Sequence, residues 1–153
     1  MSIKIGDKCP IFSLLDQKGE MYNLSDVIGR KNCVIYFYPK DNTWGCTKQA
    51  CSFRDAFQDF VDLGCEVIGI SSDSVSSHKL FSEKYNLNFP VLSDSKDEVR
   101  NLFGVPKSLF GLLKGRVTYI IDKNGIVVWV FNSQVNSVAH ISKAINFVKE
   151  MEK

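Results

Sequence analysis

The chain has 153 residues, 44% hydrophobic and 24% charged, an ordinary balance for a single globular domain whose core needs no disulfide staples. Its formal net charge of +2, with lysines scattered along the chain, gives no reason to expect a nucleic-acid or anionic-membrane partner. No segment reaches the roughly 20 apolar residues of a membrane span, and the opening MSIKIGDKCPIFSL has no apolar run of secretory-leader length.

Asp16-Gln-Lys-Gly19 reads as a turn between two short strands, and Ser25 and Asp26 as the start of a short helical turn. Residues 33–38, CVIYFY, are β-branched, aromatic and apolar almost throughout, which suits a strand buried on both faces. Over residues 45–63, Ala50, Phe53, Ala56, Phe57, Phe60 and Val61 recur at helical spacing, and Gly64 is the stop. A strand is expected over 67–70, a helix over 76–85, a strand over 90–92 and a short helix over 97–103. Strands over 117–121 and 126–131 flank Asp122-Lys-Asn-Gly125, which reads as a hairpin turn. A last amphipathic helix over 138–151 places Ile141, Ala144, Ile145 and Val148 on one face. This order predicts one α/β domain over residues 1–153, with a central mixed sheet and helices on both faces. Its site belongs beyond the C-terminal ends of the parallel strands.

The stretch YFYPKDNTWGCTKQAC, residues 36–51, lies where that site is expected. Pro39 ends a strand because it has no N–H for a sheet neighbour. Cys46 would sit in the first turn of the next helix, where unpaired N–H groups and the helix dipole favour a thiolate. Thr43, three residues earlier, is close enough for its hydroxyl to reach the sulfur or a ligand on it. Arg116 starts the strand RVTYIID, just after the turn GLLKG. If that strand is central, Arg116 reaches the same sheet edge and favours the thiolate further.

Cys46 and Cys51 are five residues apart. In an unbroken helix their Cα atoms lie roughly 8.5 Å apart, whereas a disulfide needs them within about 7 Å. They can pair only if the first turn unwinds, which Gly45 would ease. The spacing points to a redox cycle with a conformational step. An odd total of five cysteines in a chain of this size argues for a reducing compartment.

The remaining candidates read more plainly. Cys9, Cys33 and Cys65 border or lie in apolar strand-like runs and behave as small hydrophobes. Cys46-x4-Cys51 has no second pair at zinc spacing, and His78 and His140 are isolated, so each reads as a surface or helix-face residue rather than a metal ligand. Asp94, Asp97 and Glu98 look like a solvated loop and helix start. Ser71-Ser-Asp-Ser74 resembles loop and cap chemistry and lacks the Gly-x-Ser-x-Gly pattern of a hydrolase.

Pro39-x-x-x-Thr43-x-x-Cys46 resembles the active-site motif of the peroxiredoxins, and YFYPKDNTWGCTKQACSFRD resembles their peroxiredoxin Q, or bacterioferritin comigratory protein, subgroup. The likeness extends through EVIGISSDSVSSHKLFSEKYNLNFPVLSD and FGVPKSLFGLLKGRVTYIIDKNG to the tail helix. It implies a thioredoxin-like fold with an N-terminal β-hairpin and a thiol peroxidase that uses no metal or organic cofactor. It implies that Cys46 is the peroxidatic cysteine and Cys51 the resolving one, with Pro39, Thr43 and Arg116 at the other active-site positions. The implied reductant is thioredoxin or a similar dithiol protein, and the implied assembly a monomer. The subgroup commonly has proline where this chain has Trp44; tryptophan there would either loosen the loop or wall the pocket.

Two rivals follow from the same residues. A dithiol oxidoreductase of the Cys-x-x-Cys type is disfavoured, since that pattern is missing. A redox-sensing binding module would signal by the same local unfolding. The expected location is cytoplasmic, with the plastid as the alternative if a transit segment was removed.

Overall fold

The computed structural model describes residues 2–106, 114–134 and 136–151. It opens with a hairpin of two short strands, β1 (Ser13–Leu15) and β2 (Met21–Asn23), closed by the Asp16–Gly19 turn. The Asp16 carboxylate accepts from the backbone N–H groups of Lys18 and Glu20, and Gly19 takes φ +78, which only glycine adopts without strain. A 3-10 turn over Leu24–Asp26 follows, where the serine and aspartate predicted it.

The rest alternates as expected: β3 (Asn32–Phe37), α1 (Trp44–Asp62), β4 (Cys65–Ser71), α2 (Val75–Tyr85), β5 (Val91–Ser93), α3 (Glu98–Phe103), β6 (Val117–Ile121), β7 (Val127–Asn132) and α4 (Ala139–Met151). Among the described residues one sheet forms, ordered β2-β1-β5-β4-β3-β6-β7. β3, β4 and β5 run parallel and β6 and β7 antiparallel to their neighbours, so the sheet is mixed.

β3 is central and buried along its whole length. Its residues alternate between two cores, as the period of a strand requires. Cys33, Ile35 and Phe37 join Val99 and Phe103 of α3, the 3-10 turn and the N-terminal segment. Val34 and Tyr36 join Phe53 and Phe60 of α1, Phe81 of α2 and Ala144 and Val148 of α4. The two cores clamp the sheet and fix where its ends lie. Gly69 of β4 faces Tyr36, whose ring would stand 2.9 Å from any added Cβ, so bulk at residue 69 would displace that ring.

Candidate active site

Two chain segments meet at the C-terminal end of β3. Tyr38 still donates its N–H to Ile70 O at 3.1 Å, and Pro39, which has none, ends the pairing. β6 runs antiparallel to β3 with Phe37 opposite Val117, so Arg116 falls one step beyond this pair, beside the loop that leaves β3. This register is what carries Arg116 across 70 positions of sequence to Cys46. The GLLKG turn lies outside the described residues except for Lys114 and Gly115.

Cys46 is the third residue of α1 and only 1% exposed. Thr43 occupies the N-cap position with extended φ/ψ, yet its side chain caps no N–H, and no acidic residue stands in the first turn. The positive end of the helix is therefore left uncompensated by carboxylate, and it points at the sulfur's neighbourhood. The Arg116 Nη2 donates to Cys46 Sγ at 3.3 Å. The same guanidinium donates from Nη1 to Gln49 Oε1 at 2.6 Å and from Nε to Gln134 O at 3.1 Å. None of the ion pairs among the described residues includes Arg116. The buried guanidinium thus divides its hydrogen bonds between two neutral oxygens and the Cys46 sulfur.

Thr43 is exposed, and its hydroxyl donates to Lys40 O at 2.9 Å rather than to the sulfur. With that hydrogen engaged, the Thr43 oxygen is left with lone pairs to offer a ligand. Pro39 is half-buried. Asn42 turns the loop at φ +62, a conformation asparagine tolerates better than most residues. Trp44 opens α1 with 76% exposure and Lys48 Nζ 4.3 Å from its ring, so it stands outside the packed core. Cys51 lies half-buried on the same unbroken helix, and all five cysteines are free thiols. In this fully folded state Cys46 and Cys51 are held apart, as helical geometry requires.

Sequence reasoning missed several groups. Gln49 had no signal beyond its place three residues after Cys46, and it is fully buried against Arg116. Gly45, read as a weak point of the helix, has a second reason to be glycine: a Cβ there would stand 3.1 Å from Arg116 Nη2. Arg100 of α3, buried, donates to Tyr38 O and Gly115 O at 2.9 Å each and so ties the ends of β3 and β6 together.

The histidines and one aspartate need correction. His78 and His140 do lie on helices, but on inward faces, each with no exposed surface. Hydrogen bonds at both ring nitrogens make that burial tolerable. Asp94 is 2% exposed, because its carboxylate accepts the N–H groups of Val99 and Arg100 at the start of α3. Asp97 is half-buried and Glu98 exposed, as a helix start predicts. Ser74 caps α2 by accepting from Ser77 N. Cys9, Cys33 and Cys65 are buried as expected; burial pushes the Cys9 thiol up to about 12 and Cys33 well above the usual thiol range.

His140 supports the site from α4. Its Nε2 donates to Ser133 O and its Nδ1 accepts from Thr118, which steadies the segment whose Gln134 carbonyl receives Arg116. Burial, aided by the nearby Arg116 charge, lowers the imidazole from 6.5 to about 4. Between those pH values the unfolded chain binds the extra proton and the folded chain does not, so stability falls as pH is lowered. This group contributes a loss of up to about 3 kcal/mol. Urea denaturation of wild type and His140→Gln across pH 7 to 4 checks this: the variant is expected to lose less stability on acidification, and parallel curves would contradict it.

With the geometry in place, comparison with known proteins adds an independent line. The AhpC/TSA family pattern matches residues 5–130. A chloroplastic peroxiredoxin Q from Sedum lineare is 48% identical over 147 residues, spanning 96% of this chain and 78% of its own. The crystal structure of peroxidoxin BcpB from Mycobacterium tuberculosis superimposes with a TM-score of 0.89 at 36% identity, covering 97% of this chain and 98% of that one. The bacterioferritin comigratory protein of Xanthomonas campestris, for which an alkyl peroxide reduction activity is described, gives 0.85 at 29% identity over 96% and 100%. The fold is that of these proteins, a thioredoxin-like domain with an N-terminal hairpin.

Proposed function

Since the chain belongs to the AhpC/TSA family, in its peroxiredoxin Q branch, and is a thiol peroxidase, we propose that it reduces hydrogen peroxide and organic hydroperoxides through Cys46, with Cys51 as the resolving thiol. The observation that carries this is the Arg116 Nη2–Cys46 Sγ contact of 3.3 Å at the N-terminus of α1. The Cys46 thiolate attacks the terminal peroxide oxygen; the O–O bond breaks, and the departing alkoxide or hydroxide takes a proton to leave as alcohol or water. Cys46 becomes a sulfenic acid. Arg116, the backbone N–H groups of the first turn and the Thr43 oxygen hold the peroxide in line and stabilise charge as that bond breaks. Pro39 shields the sulfur from bulk water.

The first turns of α1 then unwind. Cys51 displaces hydroxide from the sulfenic sulfur, water is released, and a Cys46–Cys51 disulfide forms. Thioredoxin or a similar dithiol protein reduces it, ending with its own disulfide. The Xanthomonas activity supports alkyl hydroperoxides within the substrate range. The chloroplastic relative supports a plastid over a cytoplasmic setting, and the enzyme acts as a monomer.

Arg116→Met tests the geometry. The methionine fills the space but offers no donor to sulfur or peroxide. The second-order rate of Cys46 oxidation is expected to fall by about a hundredfold to a thousandfold. A change within experimental error in stopped-flow peroxide consumption would remove Arg116 from the mechanism. The redox-sensing alternative would show as stoichiometric oxidation without reductase-driven turnover.

A further inference from the structure

The loop carrying Pro39 and Thr43 is gripped from behind by two buried residues that take no part in the chemistry just described. Asp41 is 4% exposed and His78, in the first turns of α2, not at all. Asp41 Oδ2 meets His78 Nδ1 at 2.7 Å and accepts from Ser77 Oγ at 2.9 Å, while its Oδ1 accepts from Tyr38 Oη at 2.6 Å. His78 Nε2 reaches Leu92 O in β5 at 3.0 Å. The backbone N–H of Asp41 donates to Asp73 Oδ2 at 2.8 Å, and Ser71 Oγ donates to the same carboxylate at 2.7 Å.

We propose that the Asp41–His78 pair is a latch that positions the peroxide-binding loop, making both residues positioning residues for peroxide reduction. The reading rests on Cys46 being the peroxide-reacting thiol. A carbonyl only accepts, so Nε2 carries the hydrogen shared with Leu92 O. The Nδ1–Oδ2 contact therefore holds a second hydrogen, whichever atom bears it. Two ring nitrogens fixed to two elements leave the imidazole no rotational freedom, and Asp41 inherits that rigidity. Asp41 stands two residues from Pro39 and two from Thr43, so the grip transmits to both. The ligand atoms of Asp41, Asp73 and His78 lie within 4.8 Å of one another, as a cation site would need. Yet Asp41 uses both oxygens, and His78 both nitrogens, in hydrogen bonds, so the trio is built as a network.

Two variants of one residue separate the halves of the latch. His78→Asn retains an amide near the position of Nδ1 and loses Leu92; His78→Gln retains one near Nε2 and loses Asp41. The readouts are the rate of Cys46 oxidation by hydrogen peroxide and its rate of alkylation by iodoacetamide, which needs the sulfur but not the loop's peroxide contacts. Peroxide oxidation is expected to fall by about tenfold to a hundredfold in His78→Gln, which frees Asp41, and by a smaller factor in His78→Asn, which keeps Asp41 but loses the Leu92 anchor, with alkylation within about threefold in both. Equal peroxide rates in the two variants, or alkylation falling in parallel with oxidation, would overturn the latch.

Asp41→Asn covers the case in which His78→Gln does not fold. Its amide nitrogen donates to Nδ1 and its oxygen accepts from Tyr38, so peroxide oxidation is expected to exceed that of Asp41→Ala, which makes neither contact, with alkylation alike in both; equal peroxide rates in the two would overturn the proposal. Peroxide reactivity of wild-type Cys46 reports separately on the assignment beneath it.

Discussion

Replacing Cys46 with serine is expected to abolish peroxide reduction. The serine oxygen fits the space of the sulfur, so the fold and the Arg116 cluster persist. An alcohol at neutral pH is nonetheless a far weaker nucleophile than a thiol in the same place, and only the thiol forms a sulfenic acid. Two of the other cysteines are poorly set to replace it. Cys9 and Cys33 are buried in the opposite core, and burial keeps both as protonated thiols. Turnover is expected to drop to the background of the assay without enzyme. Retained turnover in Cys46→Ser would transfer the chemistry to another thiol and refute the nucleophile assignment.

Cys51→Ser separates the two halves of the cycle. The first oxidation of Cys46 by one equivalent of peroxide is expected at the wild-type rate, because nothing in the contacts of Arg116 or the loop involves Cys51. Thioredoxin-coupled turnover is expected to vanish, since the sulfenic acid finds no partner on its own helix. With excess peroxide, Cys46 then proceeds to the sulfinic acid, which a thiol does not reverse. Full coupled turnover in this variant would assign resolution to Cys65, Cys33, Cys9 or a thiol on another molecule. Unwinding α1 is the structural cost of this step: the disulfide cannot form while residues 46 to 51 remain helical.

Much of this was legible in the chain. The apolar run of residues 33–38 announced a strand buried on both faces, and β3 is one. Proline at residue 39 and the helical spacing from Ala50 to Phe60 placed the thiol at a strand-to-helix junction, where it lies. The reach of Arg116 to Cys46 requires β6 to lie inside the sheet, and it lies between β3 and β7. Antiparallel pairing with β3 brings Arg116 to Cys46.

What stayed hidden was burial of polar groups by tertiary packing. A histidine on an amphipathic helix gives no sign of which partners will meet it. Local spacing could not announce that Asp41 and Leu92 converge on His78, or Thr118 and Ser133 on His140. Asp94 looked solvated because its acceptors' partners, the N–H groups that start α3, exist only once that helix forms. Gln49 and Gly45 serve Arg116 from positions on α1, and their roles depend on a strand 67 to 71 residues away. Spacing alone leaves the Thr43 hydroxyl within reach of either the sulfur or a ligand on it; its hydrogen is committed to Lys40 O and its oxygen is what remains for a ligand.

The central claim is that peroxide oxidises Cys46 before any other thiol and that the oxidised sulfur then joins Cys51. Rapid-quench mixing with one equivalent of hydrogen peroxide, followed by sulfenic-acid trapping and peptide mass spectrometry, tests it most directly. The account predicts an early trapped adduct on the Cys46 peptide alone, decaying as a Cys46–Cys51 linked peptide grows in. An adduct appearing first on Cys9, Cys33, Cys51 or Cys65, or Cys46 reacting no faster than free cysteine, would contradict it.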